Sequence, residues 1–425
     1  MTTRIVRPGI VFGRLVAPPS KSYTHRAVLA AHFGSRPYRV ENPLDCQDTV
    51  ATLRGVGVLG THSERREGVW ELDRSDGRPQ PRRRRIGCGE SGTTLRFLLP
   101  AAARLAVPVT FAAAPSLRRR PVDGVLEVLR QAGVQVRRRP RATDWISVQG
   151  PMTPVRAPLD ASESSQFLSG LLLALPGLSG PSELRCTGRM VSEPYVDATL
   201  RVLELHGIEV QRSGRRFRVP APQAYRGDRI RVPGDASSAA YLWAAAAITG
   251  GTVDVEGMDE DWPQADLAIL PWLESMGAIV ARGPDSVRVS GRTTLPLRAN
   301  VDDAPDLLPL LGVLAASTPG RSILSGGIHA RRKESDRRAE TVRLVRAMGA
   351  RITVTSQAMR IEGRLHPRGF AYGGAADHRM VMSAAVGALA ATGPSQIGSA
   401  DAVTKSFPGF WDAMARLGVA LEKRR

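Results

Sequence analysis

GDASSAAYLWAAAAITGG, residues 234–251, opens on Asp and Ser, runs apolar and Ala-rich, and stops at a pair of glycines. Asp and Ser cap helix starts because their side chains accept from the free N–H groups of the first turn. Gly ends helices because it takes left-handed backbone at no steric cost. The stretch therefore predicts a capped, nearly all-apolar helix, which has to be buried. The same pattern recurs as PSKSYTHRAVLAAHFG (19–34), ESGTTLRFLLPAAA (90–103), SESSQFLSGLLLALPG (162–177), DDAPDLLPLLGVLAAS (302–317) and ADHRMVMSAAVGALAATG (376–393), at a spacing of roughly 70 residues.

A second pattern interleaves with the first. An amphipathic helix stops at Gly and runs into a short apolar strand, as in VDGVLEVLRQAGVQV (122–136), YVDATLRVLELHGIEV (195–210) and AETVRLVRAMGARITV (339–354). DTVATLRGVGVLG (48–60), ADLAILPWLESMGAIV (265–280) and FWDAMARLGVALE (410–422) complete the six, and Gly133, Gly207, Gly277, Gly349 and Gly418 sit at the C-cap position. Each unit thus holds a buried helix, a half-buried helix that covers it, and several short strands. Six such units are too few and too long for a common solenoid, so two pseudo-threefold lobes of three units each fit better, with a seam near RVPGDASS (231–238). IVRPGIVFGRLVAPP, at the start of the chain, reads as two short strands without a unit of their own, expected to complete the second lobe.

The bulk composition narrows the function. The 425 residues carry 42% hydrophobic content, ample for sizeable cores, and a formal charge of +19 that favours anionic partners. Cys46, Cys88 and Cys186 lie far apart without metal-ligand spacing, so neither a disulfide framework nor a zinc site is expected, and Cys46 and Cys88 read as small buried residues. The N-terminus lacks the apolar core of a signal peptide, and no apolar run reaches the ~18 residues that span a bilayer. A soluble cytoplasmic protein without membrane association is expected. Helix starts rich in Ser, Thr, Asp and Gly are ready anion sites, and Lys21, Arg26, Arg96 and Arg379 stand within them. RRKESDRR, 331–338, sets five cations around Glu334 and Asp336, either a solvated helix face or an acid held among the clamps of an anionic substrate.

The motifs PSKSYTHRAVLAA, GESGTTLRFLLP, RRRPVDGVL, SSQFLSGLLLALP, PYVDATL, GDASSAAYLWAAAAI, KESDR, DHRMVMSAAVGAL and TKSFPGFW occur in that order. Across essentially the whole chain they resemble the enolpyruvylshikimate phosphate synthases, or 3-phosphoshikimate 1-carboxyvinyltransferases. The resemblance implies an α/β fold, a two-lobed inside-out α/β barrel of six βαβαββ units, three per lobe. The expected lobes are 20–232, on the shikimate-phosphate side, and 1–19 with 233–425, carrying the acid/base pair and the phosphoenolpyruvate clamp. It implies transfer of the enolpyruvyl group of phosphoenolpyruvate to the 5-hydroxyl of shikimate 3-phosphate, closure of the cleft between the lobes on shikimate phosphate, no metal or other cofactor, and a monomer.

Carried over residue by residue, the resemblance makes Lys21, Asp306 and Glu334 catalytic, Asp306 as the base at the 5-hydroxyl and Glu334 as the acid at the methylene carbon. Lys21, Ser22, Arg26, Ser164, Ser165, Gln166, Ser192, Tyr195, Asp306 and Lys333 match shikimate-phosphate contacts. Lys21, Gly92, Arg120, Gln166, Arg337, Arg379 and Lys405 match phosphoenolpyruvate contacts. Asp336 is expected to orient a neighbouring cation, and His25 to pack or support. Five positions depart from the pattern: His329 and Glu90 stand where asparagine is common, Ala375 and Ala376 where a Tyr-Asn pair is, and Glu193 where a basic residue is. His329 and Glu90 support one rival, the same chemistry on a different acceptor alcohol.

The related transferase acting on UDP-N-acetylglucosamine usually carries a cysteine in the loop matching 117–123, and none stands there. A non-catalytic nucleic-acid binder is the rival from another class. Against it, Asp306 and Glu334 would repel a phosphate backbone, and the tryptophans do not interleave with basic patches. RRRR, 82–85, reads as a solvated loop at the edge of a strand.

Overall fold

The computed structural model describes residues 2–74, 84–139, 142–259 and 261–424. The chain divides into two compact units, Pro19–Pro233 and Met1–Pro18 with Gly234–Arg425. Among the described residues there are six four-stranded sheets, and all six share one pairing scheme. A parallel pair is extended by two antiparallel strands, as in Arg84–Gly87, Val109–Ala112, Asp144–Gln149 and Gln135–Arg138. The parallel step needs a crossover, and in four of the six sheets a buried helix supplies it.

Six apolar helices form within the repeated stretches: Lys21–Phe33, Gly92–Ala103, Gln166–Ala174, Ala236–Thr249, Leu308–Ala316 and His378–Leu389. Ser20, Ser91, Asp235 and Asp377 each accept from a backbone N–H of the first turn. Every residue of Ala236–Thr249 is buried, as a helix with no polar face must be. The five C-cap glycines take φ between 68° and 100°. In each unit the apolar helices pack together at the centre and the sheets lie outside them. Gly170 sets one such approach: a Cβ there would stand 2.4 Å from Arg96 O, so Gln166–Ala174 can press against Gly92–Ala103 only without a side chain.

In two sheets the parallel partners lie far apart in the chain, though within one unit. Phe12–Val16 precedes the helix Lys21–Phe33 in the chain, yet it pairs in parallel with Thr252–Glu256. Arg229–Arg231 precedes Ala236–Thr249, yet it pairs with Tyr38–Glu41. Thr3–Val6 sits between Ser395–Ile397 and Leu421–Arg424. The first residues therefore fill two sheets of the unit that contains the C-terminus.

Arg82 and Arg83 lie outside the described residues. Arg84 and Arg85 belong to the strand Arg84–Gly87 rather than to a loop, and Arg85 Nε donates to Asp144 Oδ1 at 2.7 Å. Cys46, Cys88 and Cys186 are buried, and burial pushes the Cys88 thiol up to about 12 and that of Cys186 to about 11. Among the described residues no helix is long and apolar enough to cross a membrane.

Candidate active site

The candidate residues fall into two sets, one in each unit. In Pro19–Pro233 they gather at helix starts. Lys21 is the first residue of its helix, and its Nζ lies 3.2 Å from Asp48 Oδ2, both side chains about one-sixth exposed (17% and 16%). Arg26, one turn on, is 2% exposed. Its Nε donates to Thr199 Oγ1 at 2.9 Å, Nη1 to Ser22 O at 2.9 Å and Nη2 to Tyr195 O at 2.6 Å. Burial lowers its pKa to about 10, opposed by Tyr23 and Tyr195, so it stays a cation at neutral pH. Ser22, Arg26 and Tyr195 are thus brought together through hydrogen bonds from one guanidinium.

A second group forms around Gly92. A Cβ at Gly92 would lie 3.3 Å from Arg96 Nη1 and 3.4 Å from Arg120 Nη1, so two guanidinium groups crowd the space a side chain would fill. Arg96 Nη1 donates to Gln166 Oε1 at 2.8 Å, and Gln166 Nε2 donates to Thr93 Oγ1 at 2.9 Å. Ser164 Oγ accepts from Gln166 N at 3.3 Å. Ser165 is the buried N-cap of Gln166–Ala174, and Ser192 is a buried turn residue at φ 56°. Glu90 accepts from Ser116 Oγ at 2.5 Å, tying the Gly92 turn to the segment that carries Arg120. Glu193 pairs with Arg212.

The second set, in the C-terminal unit, centres on Arg337, whose side chain is 1% exposed. Its Nε donates to Asp377 Oδ2 at 2.9 Å, Nη1 to Asp306 Oδ1 at 2.6 Å, and Nη2 to Glu334 Oε2 at 2.5 Å and Asp377 Oδ1 at 3.3 Å. Three carboxylates therefore occupy four of its five N–H donors. Arg379 Nη2 lies 2.8 Å from Asp306 Oδ2 and Lys333 Nζ 3.5 Å from Asp306 Oδ1. Burial alone would raise the Asp306 pKa, but Arg379, Lys333 and Arg337 overcome it and hold the carboxyl well below its ordinary range. Asp377 behaves alike: burial pushes it up, Arg337 pulls it further down. Lys405 Nζ donates to Ala376 O at 3.3 Å. Ala375 and Ala376 both sit in the left-handed region, at φ 46° and 53°.

Asp336, expected to orient a neighbouring cation, supports the charge of Arg338 and also caps a helix. It is the N-cap of Arg337–Ala347, and its Oδ1 accepts from Ala339 N at 3.0 Å. The role of counter-charge to Arg337 belongs to Asp377, which sequence reasoning passed over inside DHRM. Its place one residue before the helix His378–Leu389 reads as an ordinary cap, and it is one, accepting from Arg379 N at 3.0 Å. Asp48 was equally hidden as a first-turn carboxylate of Gln47–Val58. Asp266, in the turn Ala265–Ala268, accepts from Ser237 Oγ, and burial raises its pKa to about 6 against the pull of Arg379. Among the described residues no group of three or more His, Cys, Asp or Glu side chains is placed to share a metal ion.

Dense cation sets with carboxylates inside them suit anionic substrates and proton transfer. Comparison with known proteins agrees. A 3-phosphoshikimate 1-carboxyvinyltransferase from Thermococcus kodakarensis is 39% identical over 416 residues, 97% of this chain and 99% of the relative. One from Methanoculleus marisnigri is 38% identical over 419 residues, again 97% and 99%. A solved EPSP synthase structure from Acinetobacter baumannii matches with a TM-score of 0.83 at 25% identity over 100% of both chains. The family model for EPSP synthase (3-phosphoshikimate 1-carboxyvinyltransferase) covers residues 6–414, and the chain belongs to that family.

Proposed function

We propose that the protein transfers the enolpyruvyl group of phosphoenolpyruvate to the 5-hydroxyl of shikimate 3-phosphate and releases phosphate. The observation that carries this is the placement of Asp306 and Glu334 on one buried guanidinium, that of Arg337, with Arg379 and Lys333 beside them. Full-length similarity to proteins named for this reaction supports it.

In this reading Ser22, Arg26, Ser164, Ser165, Gln166, Ser192, Tyr195 and Lys333 hold shikimate 3-phosphate. Gly92 leaves room for phosphoenolpyruvate, and Arg120, Gln166, Arg379 and Lys405 hold it. Lys21 serves both. Arg337 acts chiefly as the post that aligns the two carboxylates, since most of its donors already face Asp306, Glu334 and Asp377. Asp306 takes the 5-hydroxyl proton as that oxygen bonds to the central carbon of phosphoenolpyruvate. Glu334 delivers a proton to the methylene carbon in the same step. The tetrahedral adduct then breaks its bond to the phosphate oxygen, the methyl group returns a proton to Glu334, and the hydroxyl proton leaves Asp306 with the phosphate.

A carboxyl held far below its ordinary pKa is a poor base. Anionic substrates resolve this. A bound phosphate or carboxylate competes for Arg379 and Lys333, and each cation drawn off Asp306 lets its basicity rise. The base is thereby armed only when substrate is present.

The test is product analysis after reaction in D2O. The transient methyl group carries one solvent deuteron, and its rotation lets either isotope leave, so the product methylene should contain deuterium. Product free of deuterium would refute addition followed by elimination. Phosphoenolpyruvate binding with no product from shikimate 3-phosphate would point to another acceptor alcohol, with His329 and Glu90 as the first positions to change.

A further inference from the structure

Within the Pro19–Pro233 unit, three helices are joined by a chain of buried hydrogen bonds that the proposed reaction does not use. His25 Nδ1 lies 2.7 Å from Thr52 Oγ1, Thr52 Oγ1 lies 2.7 Å from Thr94 Oγ1, and Thr94 Oγ1 donates to Asp48 O at 3.1 Å. Ser91 Oγ stands 2.7 Å from the same Thr94 hydroxyl. His25 is 1% exposed, and Thr52 and Thr94 are 0% exposed. The Asp48 carboxylate pairs with Lys21 Nζ at 3.2 Å, and Lys21 lies one helical turn before His25. Together with the helix that carries Lys21 and His25, the contacts close into a ring: His25, Thr52, Thr94, the Asp48 main-chain carbonyl, and from the Asp48 carboxylate back to Lys21.

The ring has one direction. The single Thr94 proton goes to Asp48 O or to Ser91 Oγ, at 3.1 and 2.7 Å. Thr94 then accepts from Thr52, and Thr52 accepts from His25 Nδ1–H. This leaves His25 Nε2, buried and without a hydrogen-bond partner among the described residues, as a bare lone pair. The opposite direction would bury an N–H donor there with no acceptor, the costlier arrangement. A neutral ring is also what burial enforces, with Lys21 and Arg26 adding to it: together they hold the His25 pKa well below its ordinary value.

We infer that Thr52 and His25 are positioning residues for Lys21: they pin the Asp48 main chain against the start of the helix that begins at Gly92, and so place the carboxylate that holds the Lys21 ammonium. The inference rests on Lys21 contacting the substrates, as proposed above. It goes beyond that reading in making a buried threonine, which reaches no substrate, part of what sets affinity. Misplacing a binding group by ~1 Å can cost up to about a hundredfold.

The test is calorimetric binding of shikimate 3-phosphate to the full chain carrying Thr52→Val, Thr52→Ser, Lys21→Met, or Thr52→Val with Lys21→Met. Thr52→Val should weaken binding by about fivefold or more, and Thr52→Ser, which keeps the hydroxyl, by less than about twofold. In the Lys21→Met background Thr52→Val should change the Kd by less than about twofold, because its effect runs through the lysine. An unchanged Kd for Thr52→Val, or the same fold loss in both backgrounds, overturns the inference even if the melting temperature falls. Wild-type binding by Lys21→Met would instead remove the assignment of Lys21 itself. Should Thr52→Val fail to fold, 15N spectra of the wild-type histidines decide: His25 should be the neutral Nδ1–H tautomer, and an Nε2–H tautomer would reverse the ring and refute it.

Discussion

Asp377→Asn removes one charge from the centre of the C-terminal unit without changing the side chain's size. Asp377 is 0% exposed and accepts from Arg337 Nε at 2.9 Å, Arg337 Nη2 at 3.3 Å, Ser335 Oγ at 2.9 Å and Arg379 N at 3.0 Å. Asn keeps one oxygen and turns an NH2 group toward donors. Each hydrogen bond to a charged group is worth about 1.5–3 kcal/mol, and breaking a buried ion pair from one side costs about 3–5 kcal/mol. Arg337 keeps Asp306 and Glu334, so the expected loss is at the low end, about 3 kcal/mol.

The assay is urea unfolding followed by tryptophan fluorescence, since Trp243 is fully buried in this unit. The pH dependence sharpens the test. The Asp377 carboxyl is lowered in the folded state, so its contribution is present above the unfolded value of ~3.9 and lost only as pH falls through the folded one. The gap between wild type and variant should be constant from about pH 5 to 8 and close in stronger acid. A loss under about 1 kcal/mol, or a gap that widens in acid, would refute the view of Asp377 as the principal counter-charge of Arg337.

Three further outcomes are expected. Asp306→Asn and Glu334→Gln should each lower kcat by about 10²–10⁴ with far smaller changes in KM, measured by steady-state phosphate release; wild-type kcat in either removes its role. Asp266→Asn should stabilise the protein at neutral pH, because burial raises that carboxyl to about 6. The wild-type penalty grows as pH rises from ~4 to ~6 and is flat above, about 2–3 kcal/mol, so a variant no more stable at pH 7 than at pH 4, each relative to wild type, counts against a raised Asp266 carboxyl. Ala376→Gly should raise the melting free energy by about 1 kcal/mol, since a left-handed alanine at φ 53° is strained; a lower melting temperature would show the strain is absent.

The helices were legible in the sequence because their causes are local. Ser20, Ser91, Asp235 and Asp377 cap, and Gly133, Gly207, Gly277, Gly349 and Gly418 stop, within a few residues of the apolar runs they bound. Strand pairing was less so. Nothing local tells Phe12–Val16 to pair with Thr252–Glu256, or Arg229–Arg231 with Tyr38–Glu41, because strands of five and three residues are placed by the sheets that receive them. In RRKESDRR the sequence did not show that Asp336 is a helix cap or that Glu334 lies on Arg337. A carboxylate one residue before a helix serves the helix first, and the counter-charge of Arg337 comes from Asp377, forty residues on. The density of charge was visible in the sequence; which cation meets which carboxylate is decided by packing.

The central claim, an enolpyruvyl transfer that needs both anions, is tested most directly by phosphate release from the purified protein. Phosphoenolpyruvate and shikimate 3-phosphate are supplied singly and together. Release is predicted only with both present, and it should fall with Asp306→Asn. Release from phosphoenolpyruvate alone, or none with both from folded protein that binds phosphoenolpyruvate, would contradict it.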